Sequence, residues 1–573
     1  MFRVLLGMTV VILFFQSCAS TFEPGFFKQA EQDRKISEAV SENWMVSTQG
    51  RAASAAVEKV FNSGGNIMDA AVAASFAISV ERPQSTGLGG GGFMLYREAS
   101  TGKIWVLDFR ERAPAKSSKN MYLDPAGNVI KNKSLVGKHA VGIPGLVRGL
   151  AEAHKKFGKL KFDQLAEPAI QLAEEGLTVY PNLEMALKEM RPVLAEFKSS
   201  KNIFIKADGN HYALGEKIYQ KDLANSLRRL AKSYGEDFYT GQIAKEIVKA
   251  TESQITLADL KNYKVKWREP IRQSFKEYEI VSMPPPSSGG THVIQILNLL
   301  ENENLKKRGL HSEAAVIKTA KAMQFAFMDR ARYMADPEFV KIPLKTLTSK
   351  EYAASIKASD LWRHNPKIDV EEMSKKWPVL PESSDTTHFS IMDKEGNVVV
   401  STQTINGWFG SGMVAGNTGI LLNNEMDDFS AKPGDSNLFG AVGSAANSVA
   451  PGKTPLSSMS PTIVLKDGQP VLAVGAPGGT RIITCVANTI LNYLEYKLPL
   501  YDSVAALRIH QQWKPDELQL ETGFDPDLIK ALESKGWKIN STRSGCAVMA
   551  VAREGNKLIG VSEPRDFGQA LGR

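Results

Sequence analysis

Residues 386–404 place the tightest limit on what this chain can fold into. "HFSIMD" and "VVVSTQT" are runs of strand-forming residues, and "DKEGN" between them suits a type I turn with Gly396 in the left-handed position. If Asp393 and Asn397 close that turn, Thr386 falls opposite Thr404, unless a bulge at Gly396 slips the register by one. Two hydroxyls then meet at the open end of a hairpin, directly after the loop "PESSD". A threonine pair at a strand start is ordinarily bland, because β-branched residues fit a pleated surface. The rest of the sequence decides whether this pair is more than that.

The chain has 573 residues, enough for several cores or one large layered body. Its 43% hydrophobic and 23% charged content is that of a soluble globular protein. The net charge of +8 is small for this length, and Lys and Arg are interleaved with acids, as in "NLEMALKEMRPVLAEFKSSKN". That pattern is a solvated surface rather than a nucleic-acid groove. At the N-terminus, "MFRVLLGMTVVILFFQSCAS" has Arg3, an apolar run from Val4 to Phe15, and small residues around Cys18. The run is too short to span a membrane and has the layout of an export signal over residues 1–18. Ser17-Cys18-Ala19 resembles a lipoprotein processing site, so the protein is expected to be exported and periplasmic, with Cys18 a candidate for lipidation and membrane anchoring. Cys485 and Cys546 have neither metal nor redox spacing and read as buried, inert thiols.

Residues 19–45 read as a polar tether. "NIMDAAVAASFAISVE" follows Gly64-Gly65 with Asn66 and Asp69 placed for an N-cap, and its nearly all-round apolar face predicts a helix buried against a sheet. "GGGGFMLYREASTGKIWVLDFRERAP" predicts a strand hairpin. Helical periodicity dominates from about Gly145 to Lys375, broken by "PPPSSGG", and strands with Gly-rich loops follow Asp385. "GLGGGG" satisfies a phosphate-loop spacing, but it follows a helix and precedes a strand, the reverse of a dinucleotide fold. "PGKT" has Asn447 where a P-loop needs its first glycine, and no serine-elbow or zinc-hydrolase motif occurs.

A threonine hydroxyl is a weak nucleophile and needs an adjacent base. No His-Asp partner lies near Thr386 in sequence; His388 shares only its strand face. Cleavage between Asp385 and Thr386 would supply the base without a partner residue. The new α-amino group, with a pKa of about 7.7–8.0, would sit on the same residue as the hydroxyl.

At this point the chain resembles a known family, the γ-glutamyltranspeptidases (glutathione hydrolases) of the N-terminal nucleophile hydrolase superfamily. The resemblance runs from about Ser47 to the C-terminus. It rests on "GLGGGGFM", "LDFRERAPA", "DTTHFSIMDKEGN", "GILLNNEMDDFSAKPG", "PLSSMSPTIV", "GAPGGTRI" and "GVSEPRDFGQALG". It implies an α+β fold, a four-layer αββα sandwich, in which the precursor cleaves itself into a large subunit (19–385) and a small subunit (386–573) that stay together as a heterodimer. Thr386 resembles the nucleophile and new N-terminus, and Thr404 the threonine that orients it. Arg110 resembles the arginine that grips the donor's α-carboxylate, a planar group suited to a guanidinium fork, with Ser457 and Ser458 adding hydroxyl donors. Asn406, Glu425 and Asp428 resemble the acceptors for the donor's α-ammonium, and Gly478 and Gly479 the oxyanion hole.

Phe439 stands in the lid segment where many relatives have tyrosine, and Trp408 replaces what is commonly a small polar residue, so acceptor preference transfers least. The implied reaction is acyl transfer through Thr386 from glutathione or a related γ-glutamyl compound to water, an amino acid or a peptide, with no metal or organic cofactor. A same-fold acylase for glutaryl-β-lactams, a poly-γ-glutamate depolymerase and an uncleaved γ-glutamyl-binding lipoprotein are the alternatives.

Overall fold

Thr387–Asp393 and Val398–Thr404 pair antiparallel, with Thr387 facing Gln403 and Phe389 facing Ser401. Gly396 holds φ +90°, and the Asp393 carboxylate accepts from the Asn397 backbone N–H and side-chain amide, both at 2.8 Å. The turn therefore closes between the residues expected to close it, and no slip occurs at Gly396.

The computed structural model describes residues 34–363, 386–432, 437, 443–542 and 545–573. The expected export signal and Cys18, as well as Asp385 and Phe439, lie outside the described residues. The hairpin sits inside a seven-stranded sheet whose spatial order is Gln569–Gly572, Trp44–Thr48, Thr387–Asp393, Val398–Thr404, Gly91–Arg97, Ile104–Asp108 and Lys266–Arg268. A second seven-stranded sheet runs Glu38–Ser41, Lys557–Ser562, Met549–Glu554, Gln469–Gly475, Thr462–Lys466, Tyr278–Ser282 and Ile271–Phe275.

Strand alternation sorts the hairpin's side chains between two cores. Phe389, Ile391 and Val399 point to a core shared with helices Arg51–Asn62, Ile67–Glu81, Leu146–Phe157 and Phe162–Glu175. Met392, Val398 and Val400 point the other way, into a core shared with the second sheet and with helices Gly289–Leu300, Glu313–Tyr333 and Arg481–Leu494. Helix, sheet, sheet and helix make the four layers of an αββα sandwich. Ser390 Oγ donates across the middle to the Met549 carbonyl at 3.2 Å.

Helix Ile67–Glu81 shows why the sequence folds this way. Asn66 caps it reciprocally with Asp69, and all of its residues are buried, so it can exist only between layers. Each large side chain there, such as Phe76 or Ile78, contributes about 1.5–3 kcal/mol by leaving water. The "GLGGGG" run works by close approach: a Cβ on Gly90 would lie 1.9 Å from the Thr404 carbonyl oxygen. The missing side chain at Gly90 is what lets the chain pass so close to the end of the Thr404 strand.

Two expectations are corrected. Residues 19–45 are not simply a tether, because Glu38–Ser41 pairs with Lys557–Ser562 and Trp44–Thr48 is an interior strand beside the hairpin. The largely helical stretch from 145 to 375 also contains three strands between Lys266 and Ser282, two of which form an edge hairpin of the second sheet. Their polar alternation, as in "IRQSF", is what an edge with one solvated face requires.

Candidate active site

Thr386 precedes the first residue of its strand and is 5% exposed; Thr404 ends the neighbouring strand and is 2% exposed. Thr386 Oγ1 lies 3.3 Å from Thr404 Oγ1 and donates to it. Thr404 Oγ1 also accepts the Asn406 backbone N–H at 2.8 Å. With one backbone donor already on its oxygen, Thr404 is held in place while it meets Thr386.

His388 is not the base. Its ring bonds Thr402 Oγ1 at 2.7 Å and Ser390 Oγ at 3.1 Å, and burial lowers its pKa to about 3. It is a neutral histidine satisfied within the sheet sandwich.

One cavity beside Thr386, of about 20 Å³, is bordered by Arg110, Asn406, Glu425, Asp428, Ser457, Ser458 and Gly479. The structure thus brings these sequence-predicted residues together around the hydroxyl, although they are spread across more than 350 positions of chain. Arg110 is buried rather than a surface ion-pair residue. Its two terminal nitrogens donate to Glu425 Oε1 and Asp428 Oδ2, and the Glu111 carboxylate is 3.8 Å away. Burial opposes the Arg110 charge, and the acids beside it, Glu425 and Asp428 foremost, more than restore it, so the guanidinium stays protonated. Burial raises the Glu425 pKa well above its usual value and the Asp428 pKa above its own, and Arg110 offsets only part of either shift.

Local structure aims the remaining groups. Glu425–Asp428 is a short 3₁₀ turn, begun by the Asn423 side chain accepting the Glu425 N–H at 3.0 Å. Asn406 holds φ +72° and donates its Nδ2 to the Asn424 carbonyl at 3.0 Å, which assigns its Oδ1 to the cavity side. Ser457 is braced by the "PPPSSGG" loop: its N–H donates to the Pro286 carbonyl, and its carbonyl accepts from the Ser288 N–H at 2.8 Å.

Gly478 and Gly479 lie just before helix Arg481–Leu494, where unpaired backbone N–H groups favour negative charge. Gly478 has φ +134°, and a Cβ there would meet the Gly545 carbonyl oxygen at 2.6 Å. It borders a second, larger cavity of about 310 Å³ together with Thr386, Trp408, Arg82, Asn182 and Arg565. Thr386 therefore stands between a small charged pocket and a roomier one containing Trp408.

Cys485 and Cys546 are buried as expected but are not free thiols: they form a disulfide. It fastens the helix after Gly479 to the segment that backs Gly478. Sixty-one residues separate the two cysteines, so no local spacing announced the bond. Arg330, Asn437, Thr480 and Met459 also border the smaller cavity and were not singled out from sequence. The available signal for Arg330 was a cation inside the apolar run "AMQFAFMDRARYMAD".

Residues 53–573 match the family model for γ-glutamyltranspeptidase. The chain is 44% identical to the glutathione hydrolase proenzyme of Escherichia coli (strain K12), over 88% of this chain and 87% of that protein. It is 42% identical to the glutathione hydrolase proenzyme of Pseudomonas sp. (strain A14), over 93% and 94%. The crystal structure of a cephalosporin acylase from Bacillus halodurans superposes with a TM-score of 0.80 at 25% identity, covering 98% of this chain and 99% of that one. With the fold, the paired threonines and these matches together, the chain belongs to the γ-glutamyltranspeptidase family.

Proposed function

We propose that this protein is an autoprocessing γ-glutamyltransferase and glutathione hydrolase in which Thr386 is the nucleophile. The observation that carries this reading is the smaller cavity: a guanidinium and two carboxylates lie beside a paired threonine hydroxyl. An α-amino acid head has the complementary charges. Its carboxylate takes Arg110 with Ser457 and Ser458, and its ammonium takes Glu425, Asp428 and the Asn406 side-chain oxygen. A glutaryl group lacks the amine and would leave Glu425 and Asp428 without a ligand.

Cleavage before Thr386 frees an α-amino group, which accepts the Thr386 hydroxyl proton as the oxygen attacks the γ-carbonyl carbon. The Gly478 and Gly479 N–H groups stabilise the tetrahedral oxyanion. As the C–N bond breaks, the α-amino group returns the proton to the leaving amine, and a γ-glutamyl ester remains on Thr386. Water or an incoming amine then attacks the ester through the larger cavity and restores the hydroxyl.

Two subunits, 19–385 and 386–573, result from the cleavage and remain joined by the shared sheets, since each contributes strands to both. Export through residues 1–18 fits the disulfide, because such bonds persist in oxidising compartments; Cys18 is the candidate lipid anchor. The test is product analysis with glutathione, with and without an acceptor dipeptide. Glutamate and cysteinylglycine are the expected products without acceptor, and cysteinylglycine with the γ-glutamylated acceptor when the dipeptide is added; intact glutathione in both would reject the reading.

A further inference from the structure

Arg330 lies near the end of helix Glu313–Tyr333, 6% exposed, and borders the cavity that holds Arg110 and Thr386. It forms no ion pair among the described residues. Its Nε donates to Ser288 Oγ at 3.0 Å and its Nη2 to Ser458 Oγ at 3.1 Å. Ser288 Oγ in turn donates to the Ser457 carbonyl at 2.7 Å. Burial lowers the Arg330 pKa to about 10, which leaves it charged at neutral pH, and Asp428 is the acid whose field it feels. A buried cation held only by neutral hydroxyls is costly for stability, so its position calls for an anion.

A guanidinium can only donate. Ser458 Oγ must therefore accept from Arg330, and its own proton is turned away from that side. No acceptor takes that proton among the described residues, and Ser458 borders the same cavity. The charges point the same way. Arg110 is already shared between Glu425 and Asp428, whereas Arg330 has no acid at ion-pair distance among the described residues, so its charge is the one not yet committed to a carboxylate of the lining.

We propose that Arg330 is a positioning residue for donor selection: acting through Ser458, it fixes that hydroxyl as a donor to the substrate's α-carboxylate and adds a positive charge to that of Arg110, which is shared with Glu425 and Asp428. This rests on the reading of the cavity as the site for an α-amino acid head.

The test compares two donors on the cleaved enzyme, L-γ-glutamyl-4-nitroanilide and 4-aminobutanoyl-4-nitroanilide, which differ only in the α-carboxylate. The quantity read is the ratio of their kcat/KM values. In Arg330→Met this ratio should fall about tenfold or more, the size expected when a charge-assisted hydrogen bond is lost. Arg330→Lys should lose part of it, because an ammonium keeps the charge without bridging two hydroxyls. Ser458→Ala should lower the ratio too, and adding Arg330→Met to it should lower it little further. An equal drop for both donors in Arg330→Met would make Arg330 a mere brace and overturn the proposal. Should that variant fail to mature, unchanged ratios in Arg330→Lys and Ser458→Ala would overturn it instead. A wild-type enzyme with no preference for the carboxylate-bearing donor would reject the cavity reading itself, a different result from either.

Discussion

The Thr386 and Thr404 hydroxyls stand 3.3 Å apart at the open end of one hairpin, and the Thr404 oxygen is pinned by the Asn406 N–H. In the proposed mechanism Thr404 orients Thr386 without reacting. Thr404→Ala should slow both autocleavage and turnover about 10²-fold, the scale of a misplaced reacting group. Thr404→Ser should recover much of this, because the hydroxyl is what the role needs. Time courses on denaturing gels and single-donor kinetics read both steps; full activity in Thr404→Ala would contradict the arrangement.

Arg110 bridges Glu425 and Asp428 with separate nitrogens. Arg110→Lys keeps a charge but cannot serve both carboxylates and a donor carboxylate. The donor KM should rise about 10- to 100-fold, the equivalent of one lost charge-assisted hydrogen bond. Autocleavage should continue, since the precursor presents no donor head. An unchanged KM would return Arg110 to a structural role.

Gly478 has no room for a side chain and holds a φ that L-residues avoid. Gly478→Ala should displace its N–H and lower kcat about 10²- to 10³-fold, the cost of losing one oxyanion donor. KM for the donor should change far less, because the donor head is gripped elsewhere. A variant with kcat near wild type would remove Gly478 from the oxyanion site.

Glu111 is buried beside Arg110, and neither of its carboxylate oxygens has a hydrogen-bond partner among the described residues. Burial raises its pKa from 4.5 to about 8, against the pull of Arg110. Between those values the folded chain keeps a proton that the unfolded chain has released, so this group's contribution to stability declines as pH rises through that window. Glu111→Gln removes the titration at similar volume. Its Tm minus that of wild type should increase from about pH 5 to about pH 8; a constant difference would contradict the buried-proton account.

Much of this was legible in residues 386–404, because a turn at Gly396 fixes every cross-strand pair and therefore brings Thr386 to Thr404. The all-apolar helix Ile67–Glu81 likewise announced a layered interior. What stayed hidden was decided far away in the chain. Trp44–Thr48 becomes a central strand only because Gln569–Gly572 and the hairpin flank it. Cys485 meets Cys546 across a sequence separation of 61, which no local spacing announces. Arg330 looks like any helix cation until the serines at 288 and 458 converge on it.

In the proposed mechanism the Thr386 hydroxyl, on a residue made N-terminal by cleavage, carries the γ-glutamyl group. Intact-mass and peptide-mapping analysis of enzyme quenched during turnover of a γ-glutamyl donor tests it most directly. The expected result is a chain that starts at Thr386 and bears one γ-glutamyl group on that residue, and an uncleaved, unlabelled Thr386→Ala protein. Turnover by a single intact chain, or the group found on Thr404 or any other residue, would contradict it.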